Sequence, residues 1–417
     1  MGGLIGIPVR MAASCLGSCV AFSFFRLADT GTVKTMTAVR CVLAWLQVFG
    51  AALAWTVSSS PKGWIETACD KLYIVGYGEL GVCACRGQAE EDACFSDQLA
   101  FRATAATALV FVALLVFALS GCALGAARYH ETGKFLGLLV LWAVSLVAPN
   151  GAFSTFAVMA TVVSCVFVLV QSVVVLDTAC SWHERWYDHA RGSDKSLHEA
   201  AIIATSVSFL IGAITLAALL WCATSQGSAH GILVVAEVLS IALLIVSITD
   251  WCEHGTLLTS AVMMLYTTWL VHEAFVGMCP AEAGDQRVQV LPPWFGLVLC
   301  AATVLLLAQG LGFDTESAET PLPQQALLPT SSGDVAVVRA TSGMSDNDTR
   351  SFVVHCAVHI VVPMYIASSL VKQGGAGEGG TEEGCGAFAV HVATVFASQL
   401  LYGWHLVAPK VLSSRRF

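Results

Sequence analysis

Long apolar runs are the dominant pattern in this chain. The segments from Thr107 to Leu119 and from Leu297 to Leu307 contain almost no polar residue. A transmembrane β-barrel would instead show segments of about 10 residues with alternating polarity. Inside a membrane, a continuous apolar segment satisfies its backbone hydrogen bonds only as a helix. The pattern therefore predicts an all-α, polytopic membrane protein.

Apolar windows of about 20 residues, enough to cross a hydrocarbon core of about 30 Å, mark the predicted spans. About ten windows qualify by this measure. They cover residues 36–58, 99–124, 132–149, 152–178, 198–223, 230–250, 255–276, 292–312, 351–372 and 386–410. The N-terminal apolar segment, residues 1–35, contains Pro8 and Arg10 and could span, re-enter or lie flat. It lacks the basic start and small-residue cleavage site of a signal peptide, so we expect it to be retained.

Composition supports a membrane location. The chain has 417 residues, of which 56% are hydrophobic and 12% are charged, and its mean hydropathy is +0.74. Soluble domains carry about 25% charged residues. The net charge is −9, and no basic cluster is dense enough to follow a phosphate backbone, so no nucleic-acid partner is expected. We expect an integral, multi-pass protein of an endomembrane or the plasma membrane, with membrane phospholipids as its partners.

The basic residues predict the orientation. Thirteen of the 20 Lys and Arg residues fall in one alternate set of connections, which we assign to the cytosol. The opposite, luminal set holds six candidate disulfide cysteines: Cys69, Cys83, Cys85, Cys94, Cys279 and Cys385. Disulfides persist in that compartment, but the sequence leaves their pairing open. The Cys83-x-Cys85 spacing has no nearby His, so neither a metal nor a cofactor is expected.

We interpret residues 1–417 as a single membrane domain with two long connections. Residues 59–98 form a luminal, Cys-rich loop, and residues 313–350 form a polar, Pro-containing cytosolic loop that we expect to be disordered. The sequon at Asn347 lies at the end of this second loop. On the cytosolic side it would not meet the glycosyltransferase.

Few polar groups lie inside the predicted spans. Glu237 lies about a third of the way into its span, and Gln171 and Asp177 point about 120° apart around one helix. Each could form a polar contact between helices or belong to a path for an ion or a headgroup. No hydrolase, metalloprotease, phosphate-loop or dinucleotide motif is present, so catalysis by this chain is not expected.

Two distant motifs resemble the serine incorporator (Serinc) family. The first is QSVVVLDTACSWHERW, residues 171–186, in which Gln171, Asp177, Ser181, Trp182, Glu184 and Trp186 match the family pattern. The second is YGWHLVAP, residues 402–409, followed by a basic tail. Further support comes from residues 151–155, 266–270 and 351–352. The N-terminal segment and the luminal loop match the family less well.

The resemblance implies about ten membrane helices in two bundles crossed by a long tilted helix, with a lipid-binding groove between the bundles. It also implies promotion of serine incorporation into phosphatidylserine and sphingolipids, scrambling of phospholipids between leaflets, or both. Lipid-synthesis enzymes and a second copy of the chain are candidate partners. Candidate groove residues are Gln171, Asp177, Ser181, Trp182 and Glu237. Two alternatives stay open, a solute transporter that carries serine and a structural subunit of a membrane complex.

Overall fold

The computed structural model describes residues 36–59, 67, 69, 81–85, 91–122, 131–190, 195–224, 227–249, 255–277, 290–291, 294–308, 346–374 and 383–411. The predicted segment 1–35, Cys279, the side chain of Cys385 and most of the loop 313–350 lie outside these residues. The described residues contain ten α-helices: α1 (Met36–Ser59), α2 (Glu91–Phe117), α3 (Glu131–Ser145), α4 (Asn150–Ala190), α5 (Lys195–Ala223), α6 (Gly227–Ser247), α7 (Leu257–Val276), α8 (Trp294–Ala308), α9 (Asp346–Gly374) and α10 (Glu383–Val411).

Each predicted span from residue 36 onward coincides with one of these helices, which confirms the all-α, polytopic architecture. Among the described residues, six helices are long and apolar enough to cross a membrane, and two more apolar helices are shorter. The helices α7 and α10 fall outside both groups. In α7, 15 of the 20 residues are buried. Its hydroxyl, indole and carboxyl groups therefore face neighbouring helices, where polar contacts are tolerated.

The helices form two bundles that share α4. The first bundle packs α1, α2, α3 and α9 together, and the second packs α5, α6, α7 and α10 together. The helix α4 contacts α2 and α9 of the first bundle and α5, α7 and α10 of the second. It has 41 residues, so it is about 60 Å long, twice the hydrocarbon thickness of about 30 Å. A helix of this length must tilt or project from the bilayer, as expected for a helix that crosses between bundles.

The outer surface of both bundles is aliphatic. The helices α3, α4, α5 and α6 each carry a row of large apolar side chains that no other helix covers. Exposed members include Leu136, Val140, Val144, Val158, Val162, Val166, Ile203, Ile211, Ile214, Val234, Val238, Ile241 and Ile245. A soluble protein rarely exposes so large an apolar area, whereas lipid tails cover it at no cost.

A buried arginine sets where α4 begins. Arg102 of α2 is fully buried and donates hydrogen bonds to the carbonyl oxygens of Ser145 and Ala148, the latter over 2.8 Å, and to Asn150 Oδ1 over 2.6 Å. Its guanidinium also lies 4.3 Å from the ring centroid of Phe153. The last carbonyl groups of a helix lack partners within the helix and carry partial negative charge, so a cation there is stabilising. The tight turn between α3 and α4 is thus held from α2.

Two disulfides brace the connection between α1 and α2, which is predicted to be luminal. Cys69 pairs with Cys83, and Cys85 pairs with Cys94. Four of the six candidate cysteines are therefore bonded, and the structure supplies the pairing that the sequence left open. Because one partner of each pair lies in a short 3-10 helix, Gly81–Cys85, both disulfides converge on this element.

The 3-10 helix packs against the end of α3. The backbone N–H of Val82 donates to the carbonyl oxygen of Leu146 over 3.2 Å. Gly81 has φ of 61°, in the left-handed region, and a Cβ at this position would overlap the same carbonyl group. This contact attaches the disulfide-braced segment to the turn that precedes α4.

Two predicted loop boundaries differ from the structure. The helix α2 begins at Glu91 rather than near residue 99, because Phe95 and Leu99 are buried beside the disulfides. The helix α9 begins at Asp346, so the last five residues of the predicted loop 313–350 are helical. Phe352 is fully buried one turn further on and fixes this end of α9.

Candidate functional site

Gln171 lies on a face of α4 that is closed to the membrane. Its side chain is fully buried. Its Nε2 donates to Thr303 Oγ1 of α8 over 3.2 Å, and its Oε1 lies 3.3 Å from the hydroxyl group of Tyr266 on α7. Both polar atoms of the amide are therefore engaged by protein. Gln171 joins three helices and presents no free group to a lipid.

Further polar contacts extend this network to α10 and α6. Ser172 Oγ lies 2.9 Å from Ser398 Oγ, which connects α4 to α10. The neighbouring Gln399 donates from Nε2 to the carbonyl oxygen of Ala236 over 2.8 Å and to Ser240 Oγ over 2.9 Å. Helices in lipid gain little from burying apolar surface against each other, so such hydrogen bonds contribute to their association. The network holds α4 against the second bundle.

A different face of α4 is open and becomes polar along its length. Val162 and Val166 are more than half exposed. On the same face, Asp177, Ser181 and Glu184 follow one another at intervals of four and three residues, the spacing of neighbours on a helix surface. Asp177 and Ser181 are partly exposed, and Glu184 is exposed. We call Asp177, Ser181 and Glu184 the polar edge of α4.

The polar edge lies along α4 at a depth that suits the headgroup region of a bilayer. Asp177 lies about 40 Å along the axis from the first residue of α4. A tilt of about 40°, at the upper end of the range for membrane helices, would turn this length into a depth of about 30 Å. The exposed edge of α4 therefore changes from aliphatic to polar close to where a bilayer changes from hydrocarbon to headgroups.

Trp182 lies beside the polar edge and packs toward α5. Its ring makes edge-to-face contacts with Trp186 at 5.2 Å and with Phe209 at 6.1 Å. Trp182 is partly exposed. Indole rings favour the membrane interface, where the apolar ring meets lipid and the N–H meets water. The aromatic group supports the same depth for this end of α4 as the polar edge does.

Glu237 lies at a separate position on α6. The hydroxyl group of Thr268 donates to Glu237 Oε1 over 2.7 Å. Thr268 follows Tyr266 by two residues on α7, and two residues turn a helix by about 160° when measured the shorter way. Because Gln171 contacts Tyr266 whereas Glu237 contacts Thr268, the two side chains lie on opposite sides of α7.

The residues that the sequence grouped as one groove are therefore divided among three places. Gln171 is inside the protein, Asp177 and Ser181 lie at the open edge of α4, with Trp182 beside them facing α5, and Glu237 lies between α6 and α7. The structure brings together Asp177 and Ser181 only, because Trp182 points about 100° away from Ser181 around the helix. The physical reason is the 3.6-residue helical repeat, which directs Gln171 and Asp177 to different neighbours.

Sequence reasoning missed three partners of this network, Tyr266, Thr303 and Ser398. Tyr266 opens a Tyr-Thr-Thr-Trp sequence that resembled the family, so a signal was present. Thr303 and Ser398 are isolated hydroxyl residues in apolar helices, and most such hydroxyl groups bond only to a carbonyl of their own helix. Among the described residues, no three His, Cys, Asp or Glu side chains are arranged to hold a metal ion.

Comparison with known proteins finds serine incorporators and another membrane protein that are similar to this chain. This chain is similar to serine incorporator 2 of Homo sapiens, with 23% identity over 321 residues that cover 68% of this chain and 70% of the human protein. It is also similar to a membrane protein of Schizosaccharomyces pombe, with 26% identity over 292 residues that cover 66% of this chain and 64% of the yeast protein. Serine incorporator 3 of Mus musculus is 22% identical over 291 residues, 66% of this chain and 61% of the mouse protein.

The family model for serine incorporators matches residues 13–289, which contain the disulfide-braced connection and the helices from α1 to α7. This region includes α4 with its polar edge and all but the last three helices. It is well over half of the chain, and we conclude that this integral, multi-pass membrane protein belongs to the serine incorporator (Serinc) family.

Proposed function

We propose that this protein handles membrane lipids, by binding phospholipid headgroups at the polar edge of α4 and moving phospholipids between leaflets along the region between the bundles. The observation that carries the proposal is the change of the exposed edge of α4 from Val166 to Asp177. This edge belongs to the one helix of the described chain that packs widely against both bundles. Movement would follow the lipid gradient and needs no covalent step.

The chemistry of the edge suits a zwitterionic headgroup. Asp177 provides a carboxylate for an ammonium group, and Ser181 provides a hydroxyl donor for a phosphate oxygen. The aliphatic row ahead of them, which includes Val162 and Val166, offers a surface along which acyl chains can lie. Trp182 fixes the edge at the depth of the interface.

The family name suggests where the lipid goes. Relatives of this chain are called serine incorporators. We propose that this protein acts as a carrier that supplies lipid to partner enzymes of phosphatidylserine and sphingolipid synthesis, and that it is not itself a catalyst. Self-association of the chain is part of this proposal and would create a continuous lipid surface between copies.

The test is headgroup scrambling by the purified chain in liposomes with a fluorescent phospholipid. A membrane-impermeant reductant quenches the outer leaflet only, unless the protein exchanges the leaflets. We expect wild type to expose nearly all of the probe without an energy source, and Asp177→Leu to slow the exchange several-fold. Thr178→Val is the matched control, because the Thr178 hydroxyl donates to the carbonyl oxygen of Val174 within α4 over 2.7 Å.

Two results would overturn the proposal. If folded wild-type protein leaves the inner leaflet as protected as empty liposomes do, it does not scramble lipids. If Asp177→Leu and Thr178→Val exchange lipid at equal rates, the polar edge is not the headgroup contact. Uptake of labelled serine by the same liposomes then decides between the transporter and the structural subunit.

A further inference from the structure

A second polar group lies on α7, α8 and α9, apart from the edge of α4. Glu273 is near the end of α7, and 13% of its side chain is exposed. The connection that follows α7 is predicted to be luminal, whereas Asp177 approaches the cytosolic side. The two positions are thus at opposite ends of the membrane-embedded region. The lipid path proposed above makes no use of Glu273.

No cation neutralises Glu273 within the described residues. The basic side chain beside it among the described residues is that of His272, whose Nδ1 lies 3.7 Å from Glu273 Oε1. The backbone N–H of Leu291 donates to His272 Nε2 over 3.2 Å. A ring nitrogen that accepts a hydrogen bond carries no hydrogen, so this imidazole is the neutral tautomer with its hydrogen on Nδ1. The carboxylate of Glu273 therefore lacks a positive partner in this part of the chain.

Two helices, α7 and α9, direct side-chain groups toward one glycine of α8. A Cβ at Gly296 of α8 would lie 3.6 Å from the Tyr365 hydroxyl oxygen, 3.7 Å from Glu273 Oε1 and 3.7 Å from Trp269 Cζ2. These are ordinary contact distances, so a methyl group would fit there without overlap. The hydroxyl group, the carboxylate and the indole edge thus converge on a position that no side chain of the described residues fills.

A buried donor at the same place has no partner. Trp269 is 3% exposed, and its Nε1–H forms no hydrogen bond among the described residues. The Cζ2 atom that faces Gly296 lies on the same edge of the indole as Nε1. Buried polar groups are nearly always hydrogen-bonded, so this donor points to a bound group that supplies an acceptor.

We propose that Glu273, Trp269 and Tyr365 form a binding site for the ammonium group of a zwitterion. A carboxylate beside aromatic rings is the combination that attracts an ammonium ion. The unpartnered N–H of Trp269 suits the anionic oxygen of the same ligand. A phospholipid headgroup and a free amino acid both carry this pair of charges. Phe295, whose ring centroid lies 6.5 Å from that of Trp269, is 38% exposed, so the aromatic cluster beside the site reaches the protein surface.

Binding to the purified full-length chain in detergent tests this site without requiring leaflets, so the result is independent of lipid scrambling. The probes are phosphatidylethanolamine, phosphatidic acid with the same acyl chains, and the free amino acids glycine and L-serine. Native mass spectrometry measures lipid retention, and equilibrium binding of radiolabelled amino acid measures the free ligand. Phosphatidic acid lacks the ammonium group and shows how much retention the acyl chains alone produce.

Two variants alter the site in different ways. Glu273→Gln removes the charge, and Gly296→Ala fills the open position with a methyl group. Gly212→Ala is the matched control, because its Cβ would make contacts of similar length with side-chain atoms only, here the Leu265 methyl carbons at 3.7 and 3.8 Å. Thermal unfolding confirms that each variant is folded. If Glu273→Gln does not fold, Gly296→Ala decides.

We expect both site variants to bind the ammonium-bearing probe at least tenfold more weakly, with Gly212→Ala and phosphatidic acid retention unchanged. Preferred retention of phosphatidylethanolamine over phosphatidic acid identifies a lipid as the source of the ammonium group. Saturable binding of an amino acid, with no preference between the lipids, identifies a free ligand. The proposal is overturned if folded Glu273→Gln and Gly296→Ala bind every probe as tightly as wild type.

Discussion

Arg102 of α2 donates a 2.6 Å hydrogen bond to Asn150 Oδ1, on the first residue of α4 and 48 positions further along the chain. The same guanidinium bonds to the carbonyl groups of Ser145 and Ala148 at the end of α3. One side chain therefore fixes both helices at the turn from which the long helix starts. Its position decides how α4 enters the region between the bundles.

Replacement of this side chain should be costly. Arg102→Leu removes the guanidinium donor from three partly buried acceptors at the turn, and we expect the free energy of unfolding to fall by about 2–4 kcal/mol. Thermal denaturation in detergent, followed by intrinsic fluorescence, measures the change. Arg350→Leu removes a guanidinium from an exposed position in the first turns of α9 and should have little effect. Equal shifts in Tm for the two variants would show that the hydrogen bonds of Arg102 do not stabilise the fold.

Gln171 and Thr303 should behave as a coupled pair. We expect Gln171→Leu and Thr303→Val each to destabilise the protein, and the double variant to cost less than the sum. The coupling should be about 0.5–1.5 kcal/mol, the range for hydrogen bonds between membrane helices. A double-mutant cycle by reversible denaturation measures it. Pairing Gln171→Leu with Thr178→Val should give additive effects, since Thr178 bonds within its own helix.

Two glycines should respond to alanine with opposite signs. Gly81→Ala adds a Cβ that overlaps the Leu146 carbonyl at a positive φ, so we expect a loss of about 2 kcal/mol or more. Gly137→Ala lies in α3, where a Cβ meets nothing within 4 Å, and the better helix former should add up to about 1 kcal/mol. Melting temperatures of the two variants provide the comparison. A stable Gly81→Ala protein would contradict the packing of the 3-10 helix against this turn.

The predicted orientation can be tested through glycosylation. Asn347 should remain unmodified when the chain is expressed in eukaryotic cells, because the end of the loop before α9 is assigned to the cytosol. A new sequon made by Gln88→Asn with Glu90→Thr lies in the luminal connection and should be modified. Gel mobility before and after glycosidase treatment reports both. Modification of Asn347, or no modification of the new site, would reverse the assigned orientation.

Contacts between helix ends agree with the assignment of these ends to the same side of the membrane, whichever side that is. Arg40 donates from Nη2 to Ser351 Oγ over 2.7 Å, which joins two ends assigned to the cytosol. The pairs Arg102 with Asn150 and Val82 with Leu146 join ends assigned to the lumen. A topology with one span added or removed among these helices would separate such partners by the full membrane thickness.

Much of the fold could be predicted from the sequence because lipid leaves the backbone few choices. Runs of about 20 apolar residues must be helical in lipid, so the number and limits of most helices follow from where these runs begin and end in the sequence. The break before Asn150, the luminal cysteines and the motif from Gln171 to Trp186 are equally local signals. The predicted start of α2 was wrong because it depends on tertiary burial. The helix begins at Glu91, several residues before the apolar run, since Phe95 packs beside the disulfides.

The candidate site could be predicted from the sequence less completely than the fold, because its arrangement depends on tertiary packing. The sequence by itself singled out Gln171, Asp177 and Glu237 as polar groups within or beside apolar spans, and predicted that six cysteines face an oxidising compartment. Only packing decided that Gln171 is enclosed by Thr303 and Tyr266 while Asp177 stays at an open edge. Packing also brought Glu273, Gly296 and Tyr365 together from three helices. The physical reason is that a helix fixes the direction of each side chain by its repeat, whereas the neighbour it meets depends on how distant helices rotate and dock.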